Sequence, residues 1–177
     1  EELQPYALSA MCDGAHGAPL IPWPNRLADG RYSFDGVDHQ VPLTEPEKDN
    51  AIHGLTRWRP WNVADRAPDR GVMGAHLRPM QGYPFALDLQ ITYALDDAGL
   101  RVTTTATNVG DTACPYGNGQ HPYLSPGAGE VLDGCTFELD AQTRIDTDEE
   151  RQLPTGRVPV DGSPYDFRTP RRLGDLA

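Results

Sequence analysis

The sequence predicts an all-β protein whose strands form an antiparallel β-sandwich. The main observations are strict apolar alternation over residues 85–95 and a second alternating stretch over 100–106. A side-chain period of two is that of a strand with one buried face. The 17 prolines and 18 glycines are spread along the chain and interrupt helices, and no long amphipathic helical pattern is present. We therefore favour a sandwich over a barrel.

In chain order, the first predicted element is a hairpin over residues 30–41. Two strand-like runs, 30–34 and 37–41, flank the dipeptide Asp35-Gly36. Asp-Gly between two such runs favours the two-residue type I′ turn of a tight hairpin. We therefore expect the two runs to pair antiparallel across this turn.

A longer hairpin is predicted over residues 85–108. The turn-forming residues 96–99 separate its two alternating stretches, and the β-branched run 102–105 supports the second strand. We expect 85–95 and 100–108 to pair antiparallel. One row of apolar side chains should then share a face: Phe85, Leu87, Leu89, Ile91, Tyr93 and Leu95.

Further along the chain the strand pattern is weaker. Strands are predicted at 134–139 and 156–160, and the acidic run 146–150 is expected to be a solvated loop. A length of 177 residues fits one core, so we expect a single β-sandwich domain over 1–177. The chain begins with Glu1 rather than Met and ends in an apolar pattern without a cap, so we expect both ends to be incomplete.

Charge and cysteine usage exclude several classes of partner. The net charge of −11 argues against binding to nucleic acid or an anionic membrane, since both need a basic surface. No apolar stretch approaches the ~20 residues that span a bilayer. The three widely spaced cysteines, without a CxxC pair, fit reduced thiols in the cytoplasm. The five histidines lack zinc-type spacing, so no metal site is predicted.

Two short histidine segments carry the strongest indication of chemistry. They are Asn50-Ala51-Ile52-His53-Gly54-Leu55 and Gly117-Asn118-Gly119-Gln120-His121-Pro122-Tyr123. Imidazole can give and take a proton near neutral pH, and glycine lets a ligand approach the backbone. The nearby aromatic side chains suit the apolar faces of sugars. Together the segments predict acid-base chemistry on a small polar ring.

The order of several short motifs resembles the aldose 1-epimerases (galactose mutarotases). Asn25-Arg26 comes first, followed by the Gly-x-Tyr-x-Phe-Asp-Gly pattern of residues 30–36, His53-Gly54 and Trp58, and His121-Pro122-Tyr123 follows the long hairpin. Residues 165–168 also resemble a segment of this family. The resemblance implies a large β-supersandwich with an open sugar site on its concave face, and no cofactor or metal.

The resemblance also implies roles for particular residues. His121 and His53 are the candidate catalytic residues: His121 would be the general acid at the ring oxygen, and His53 would bind and orient the sugar. Arg26, Asn25, Trp58 and Tyr123 are the candidate substrate-binding residues. The family's general base, a glutamate, and a sugar-binding aspartate would both lie beyond Ala177, so neither is assigned.

The predicted function is interconversion of the α and β anomers of free hexoses such as glucose or galactose. One alternative is a phosphosugar 1-epimerase of the glucose-6-phosphate type, for which Arg57 and Arg59 are candidate phosphate ligands. Another is a non-catalytic carbohydrate-binding sandwich.

Some of these residues also have alternative roles. Arg26 could instead belong to a structural ion pair. Glu45 and Glu47 could form a hydrolase pair, but the intervening proline suits an irregular loop. The oligomeric state is not predicted.

Overall fold

The structure is a computed structural model that describes residues 9–11, 14–127 and 131–176. The chain divides into two compact units, one formed by Ala18–Gln120 and the other by Glu1–Gly17 with His121–Ala177. The described residues form antiparallel strand pairs and three short 3₁₀ helices, which confirms the all-β antiparallel class. None of their helices is long and apolar enough to cross a bilayer. The expectation of a single domain stays a prediction.

The Ala18–Gln120 unit contains ten strands and one 3₁₀ helix, Pro46–Lys48, among its described residues. One sheet has four strands in the order β6-β7-β8-β9, and the others are two-stranded pairs: β1 with β10, β2 with β5, and β3 with β4. The strands are β1 (Pro19–Leu20), β2 (Arg26–Ala28), β3 (Arg31–Phe34), β4 (Val37–Gln40), β5 (Asn50–Ile52), β6 (Asn62–Ala67), β7 (Arg70–Leu77), β8 (Leu87–Asp96), β9 (Gly99–Asn108) and β10 (Gly119–Gln120).

The first predicted hairpin is confirmed as β3 and β4. Phe34 pairs with Val37 at the turn, and pairing continues to Arg31 and Gln40. Asp35 and Gly36 have φ values of +50° and +77°. Positive φ at both central residues is the requirement of a type I′ turn, so the Asp-Gly dipeptide determines this connection.

The long hairpin is confirmed as β8 and β9, which pair antiparallel from Leu87 opposite Asn108 to Asp96 opposite Gly99. Leu87, Leu89 and Ile91 are buried, as the alternation predicts. The far end of the same apolar row is not covered, because Leu95 is 58% exposed. The period therefore predicts which side chains share a face, but not how far along the strand that face is covered.

The core of this unit is formed by buried residues of β8 together with buried residues of β5, β7 and the connecting segments. Its buried members include Ile21, Val41, Ala51, Leu77 and Tyr83. Tyr83 is 1% exposed, and its hydroxyl donates to the carbonyl oxygen of Pro115 at 2.8 Å. Burial of this phenol raises its pKa above the ordinary value of 10.0.

The second unit has shorter strands: β11 (Thr136–Phe137), β12 (Thr143–Thr147), β13 (Pro154–Pro159) and β14 (Arg171–Arg172). β12 pairs with β13, and β11 pairs with β14. The strands predicted at 134–139 and 156–160 correspond to β11 and β13, with shifted ends. The acidic run is not simply a solvated loop, since Asp146 and Thr147 belong to β12. Asp148 then accepts the backbone N–H groups of Arg151 and Leu153, which forms the turn.

Candidate functional site

Asn25 and His53 face each other at the ends of β2 and β5. Because Arg26 pairs with Ile52, these two residues form the next position beyond the paired strands. The His53 N–H donates to the Asn25 carbonyl oxygen at 2.9 Å, and the Asn25 N–H donates to Nδ1 of His53 at 3.2 Å. Both residues have positive φ, +58° for Asn25 and +64° for His53. This left-handed backbone directs the His53 imidazole towards Asn25 at the start of β2. The hydrogen bond from the Asn25 N–H then fixes the orientation of the ring.

The contact with Asn25 also determines the tautomer of His53. An imidazole nitrogen that accepts a hydrogen bond carries no proton, so the neutral ring is protonated at Nε2. An Nε2–H group is a donor suited to a hydroxyl oxygen. The role of His53 in orienting a ligand stays a prediction.

Arg26 is held by a two-point ion pair with Glu45. Arg26 Nε lies 2.7 Å from Glu45 Oε2, and Nη2 lies 2.8 Å from Oε1. The hydrogen-bonded Arg26 guanidinium lowers the pKa of the Glu45 carboxyl, and Glu45 raises that of Arg26. Arg26 Nη1 donates to Asn25 Oδ1 at 3.2 Å, so one hydrogen-bond network joins Arg26, Asn25 and His53.

The interpretation of Glu45 and Glu47 as a hydrolase pair is not supported by this geometry. Glu45 is 9% exposed and its carboxylate is committed to Arg26 and to Asn50 Nδ2 at 3.0 Å, whereas Glu47 is exposed. A carboxylate kept ionised by such partners is a poor proton donor. Sequence reasoning missed Glu45 as a partner of Arg26 because the two are 19 residues apart. The ion-pair alternative for Arg26 did anticipate the type of contact.

Trp58 lies outside the hydrogen-bond network. Its side chain is 47% exposed, and the Arg57 guanidinium lies 4.6 Å from its ring centroid.

Arg59, the second candidate phosphate ligand, is bonded to other parts of the protein. It donates from Nε to the Leu55 carbonyl oxygen at 3.1 Å and from Nη2 to the Met80 sulfur at 3.6 Å. Two of the three guanidinium nitrogens of Arg59 are therefore already bonded within the protein.

His121 and Tyr123 belong to the second unit, where their rings are stacked. The centroids are 5.2 Å apart at an interplanar angle of 15°. The Tyr123 ring also meets His16, with centroids 4.0 Å apart, and the Gly17 N–H donates to the His121 carbonyl oxygen at 2.8 Å. His16 is not among the residues that the sequence predicts for this site. Since His53 belongs to the other unit, its approach to His121 on one concave face stays a prediction.

A further feature of the larger unit is an apolar cavity of about 300 Å³ beside β2. Leu27 lines it, and strand alternation points Leu27 and Arg26 to opposite faces. The cavity therefore lies on the face of β2 opposite the Arg26–Glu45 pair. Aromatic rings supply much of its wall: Trp23, Tyr32, Tyr83 and Tyr116. Across the described part of the chain, no group of three His, Cys, Asp or Glu residues is arranged to hold a metal ion.

The fold matches solved structures of mutarotase-like proteins. The GalM/aldose epimerase homologue from C. elegans superposes with a TM-score of 0.82 at 20% identity, covering 99% of this chain and 55% of that chain. Galactose 1-epimerase from Lactobacillus acidophilus gives a TM-score of 0.74 at 24% identity, covering 93% and 50%. At these identities the matches show the fold alone.

Sequence comparison gives the family. The chain is 38% identical over 158 residues to the uncharacterized protein YihR of Escherichia coli K12, covering 89% of this chain and 51% of YihR. It is 32% identical over 164 residues to galactose mutarotase of Rattus norvegicus, covering 85% and 44%. The chain thus spans about half the length of the curated relatives it matches. The model of the aldose 1-epimerase family matches residues 6–177, and the chain belongs to that family.

Proposed function

We propose that the protein is an aldose 1-epimerase that interconverts the α and β anomers of free hexoses such as glucose or galactose. Family membership supports this reaction class. The observation that carries the proposal is the network of Arg26, Asn25 and His53, which offers fixed hydrogen-bond donors suited to the oxygens of a sugar. Fixed donors reduce the entropy lost when a ligand with many hydroxyl groups binds.

In the proposed reaction, the anomeric hydroxyl loses a proton to a general base while the ring oxygen gains one from His121. The C1–O5 bond breaks, and the aldehyde rotates about the C1–C2 bond. O5 then attacks the other face of the aldehyde carbon and returns its proton to His121, while the base returns its proton to the former carbonyl oxygen. His121 suits the acid because imidazole exchanges protons near neutral pH. Tyr123 stacks on the imidazole and would hold its direction. The base would be the carboxylate that the family resemblance places beyond Ala177.

A free hexose is favoured over a phosphosugar by the contacts of the two candidate phosphate ligands. Arg59 is bonded to Leu55 and Met80, and Arg57 lies over the Trp58 ring. The proposed compartment is the cytoplasm, since Cys114 and Cys135 are both free thiols. The proposed partner is the sugar itself.

Polarimetry with the protein from the full open reading frame tests the proposal. Fresh solutions of α-glucose, α-galactose and glucose 6-phosphate are followed with and without enzyme. Faster approach to the equilibrium rotation is expected for at least one free hexose. Acceleration confined to the phosphosugar would support the phosphosugar alternative. Sugar binding in calorimetry without any acceleration would support the carbohydrate-binding alternative. Either of these two results would overturn the proposal.

A further inference from the structure

The hydrogen-bond partners of Arg26 suggest a role for Glu45. Glu45 occupies the Nε/Nη2 edge of the planar guanidinium with both of its carboxylate oxygens. A guanidinium has a second edge, formed by Nη1 and Nη2, that can also donate two parallel hydrogen bonds. A partner that occupies the first edge therefore fixes the direction of the second. Nη1 donates one of its two N–H groups to Asn25 Oδ1 at 3.2 Å, so its other N–H and the second N–H of Nη2 are the groups that could reach a ligand.

Glu45 is itself held rigidly. The 3₁₀ turn Pro46–Lys48 connects it to Asn50, and the two residues exchange backbone hydrogen bonds of 3.0 and 3.1 Å. Asn50 is fully buried, pairs with Ala28 in β2, and donates from its side chain to Glu45 Oε2. The carboxylate is thus anchored to the same strand pair that carries Arg26.

We infer that Glu45 is a positioning residue for sugar binding: it clamps the Arg26 guanidinium so that the Nη1/Nη2 edge is directed at substrate hydroxyls. This inference rests on the proposed sugar-binding role of Arg26. Glu45 does not touch the sugar or transfer a proton. Without it, Arg26 keeps its charge but loses its fixed direction, and the long side chain samples other rotamers.

The test measures KM and kcat separately in the protein from the full open reading frame. Glu45→Gln keeps the shape but removes the charge and the two-point pair. Because Arg26 would bind ground state and transition state alike, KM should rise about tenfold or more, from the usual worth of a charge-assisted hydrogen bond, while kcat stays within about twofold. In an Arg26→Gln background, Glu45→Gln should change KM no further.

A matched control is the exposed pair of Arg70 and Asp65 between β6 and β7, with Arg70 Nη1 2.6 Å from Asp65 Oδ2. Asp65→Asn should leave KM and kcat unchanged. If Glu45→Gln does not fold, Glu45→Asp keeps the charge on a shorter side chain and should still raise KM. An unchanged KM in the folded Glu45 variant, or the same rise in the Arg26→Gln background, would overturn the inference. Absence of activity in the wild type would instead overturn the proposed function.

Discussion

Gly54 touches Ile21 so closely that a β-carbon on Gly54 would lie 2.1 Å from the Ile21 carbonyl oxygen. The same oxygen accepts the Leu55 N–H at 2.6 Å, which anchors the segment after His53. Gly54 also has a φ of +71°. Glycine is the one residue that meets both the conformational and the steric requirement at this position.

We therefore expect Gly54→Ala to lower the free energy of unfolding by about 3 kcal/mol, the sum of a steric clash and a positive-φ penalty. Gly36→Ala is the matched control. Gly36 has a φ of +77° but no atom within 4 Å of the added β-carbon, so only the conformational cost of about 1 kcal/mol should appear. Urea unfolding of both variants checks this, and equal losses would contradict the steric argument.

Replacement of His121 should separate rate from affinity. If His121 is the acid at the ring oxygen, His121→Asn should lower kcat about 100-fold or more and leave KM nearly unchanged. His53→Asn should raise KM as well, because His53 is assigned to ligand orientation. Polarimetry of fresh α-anomer solutions with the full-length protein gives both constants. Wild-type rates in His121→Asn would refute the role.

The tautomer of His53 can be measured without any substrate. Long-range proton–nitrogen NMR should show that neutral His53 carries its proton on Nε2, because Nδ1 accepts from the Asn25 N–H. His76 provides an internal comparison, since its Nδ1 contacts the carboxylate of Asp88, which accepts only. Neutral His76 should be the Nδ1–H tautomer. An Nδ1–H tautomer at neutral His53 would show that the Asn25 contact is not formed.

Tyr83 should make the fold sensitive to alkaline pH. Because its pKa is raised in the folded state, the stability that it contributes is present below its unfolded pKa of 10.0 and is lost as pH rises through that value and beyond. Tyr83→Phe removes the hydrogen bond to Pro115, which should cost about 1 kcal/mol at pH 7. The variant should then lose less stability than the wild type between pH 9 and 11. Urea unfolding at each pH gives the free energy of unfolding of both proteins. An equal decrease in the two proteins between pH 9 and 11 would contradict this expectation.

The two hairpins were predictable because their information is local. The alternation in β8 and the Asp35-Gly36 dipeptide act on neighbouring residues, and no distant partner is needed to interpret them. The Asn25–His53 contact could not be predicted in the same way. It depends on left-handed backbone at two residues that most often adopt other conformations, and on the register of β2 with β5.

The ion pair of Arg26 with Glu45 could not be predicted from local sequence either. Its partner Glu45 lies in a loop whose sequence indicates only irregular backbone, and the carboxylate reaches Arg26 because Asn50 pairs with β2. The residue pattern alone indicated the segment of His53, the family resemblance added Asn25 and Arg26, and the structure gives the hydrogen bonds among them. The relation of His121 to them stays a prediction.

The Arg26–Glu45 pair also affects how the site responds to dissolved ions. A guanidinium whose charge is cancelled by a carboxylate 2.7 Å away exerts little field beyond its own hydrogen bonds. The protein around it carries a net charge of −11, which repels anions at low ionic strength. Encounter with an uncharged sugar should therefore be insensitive to salt, whereas a sugar acid would be disfavoured before it reaches the site. If Arg26 binds the sugar as proposed, it would recognise hydroxyl groups by direction and would not concentrate anions.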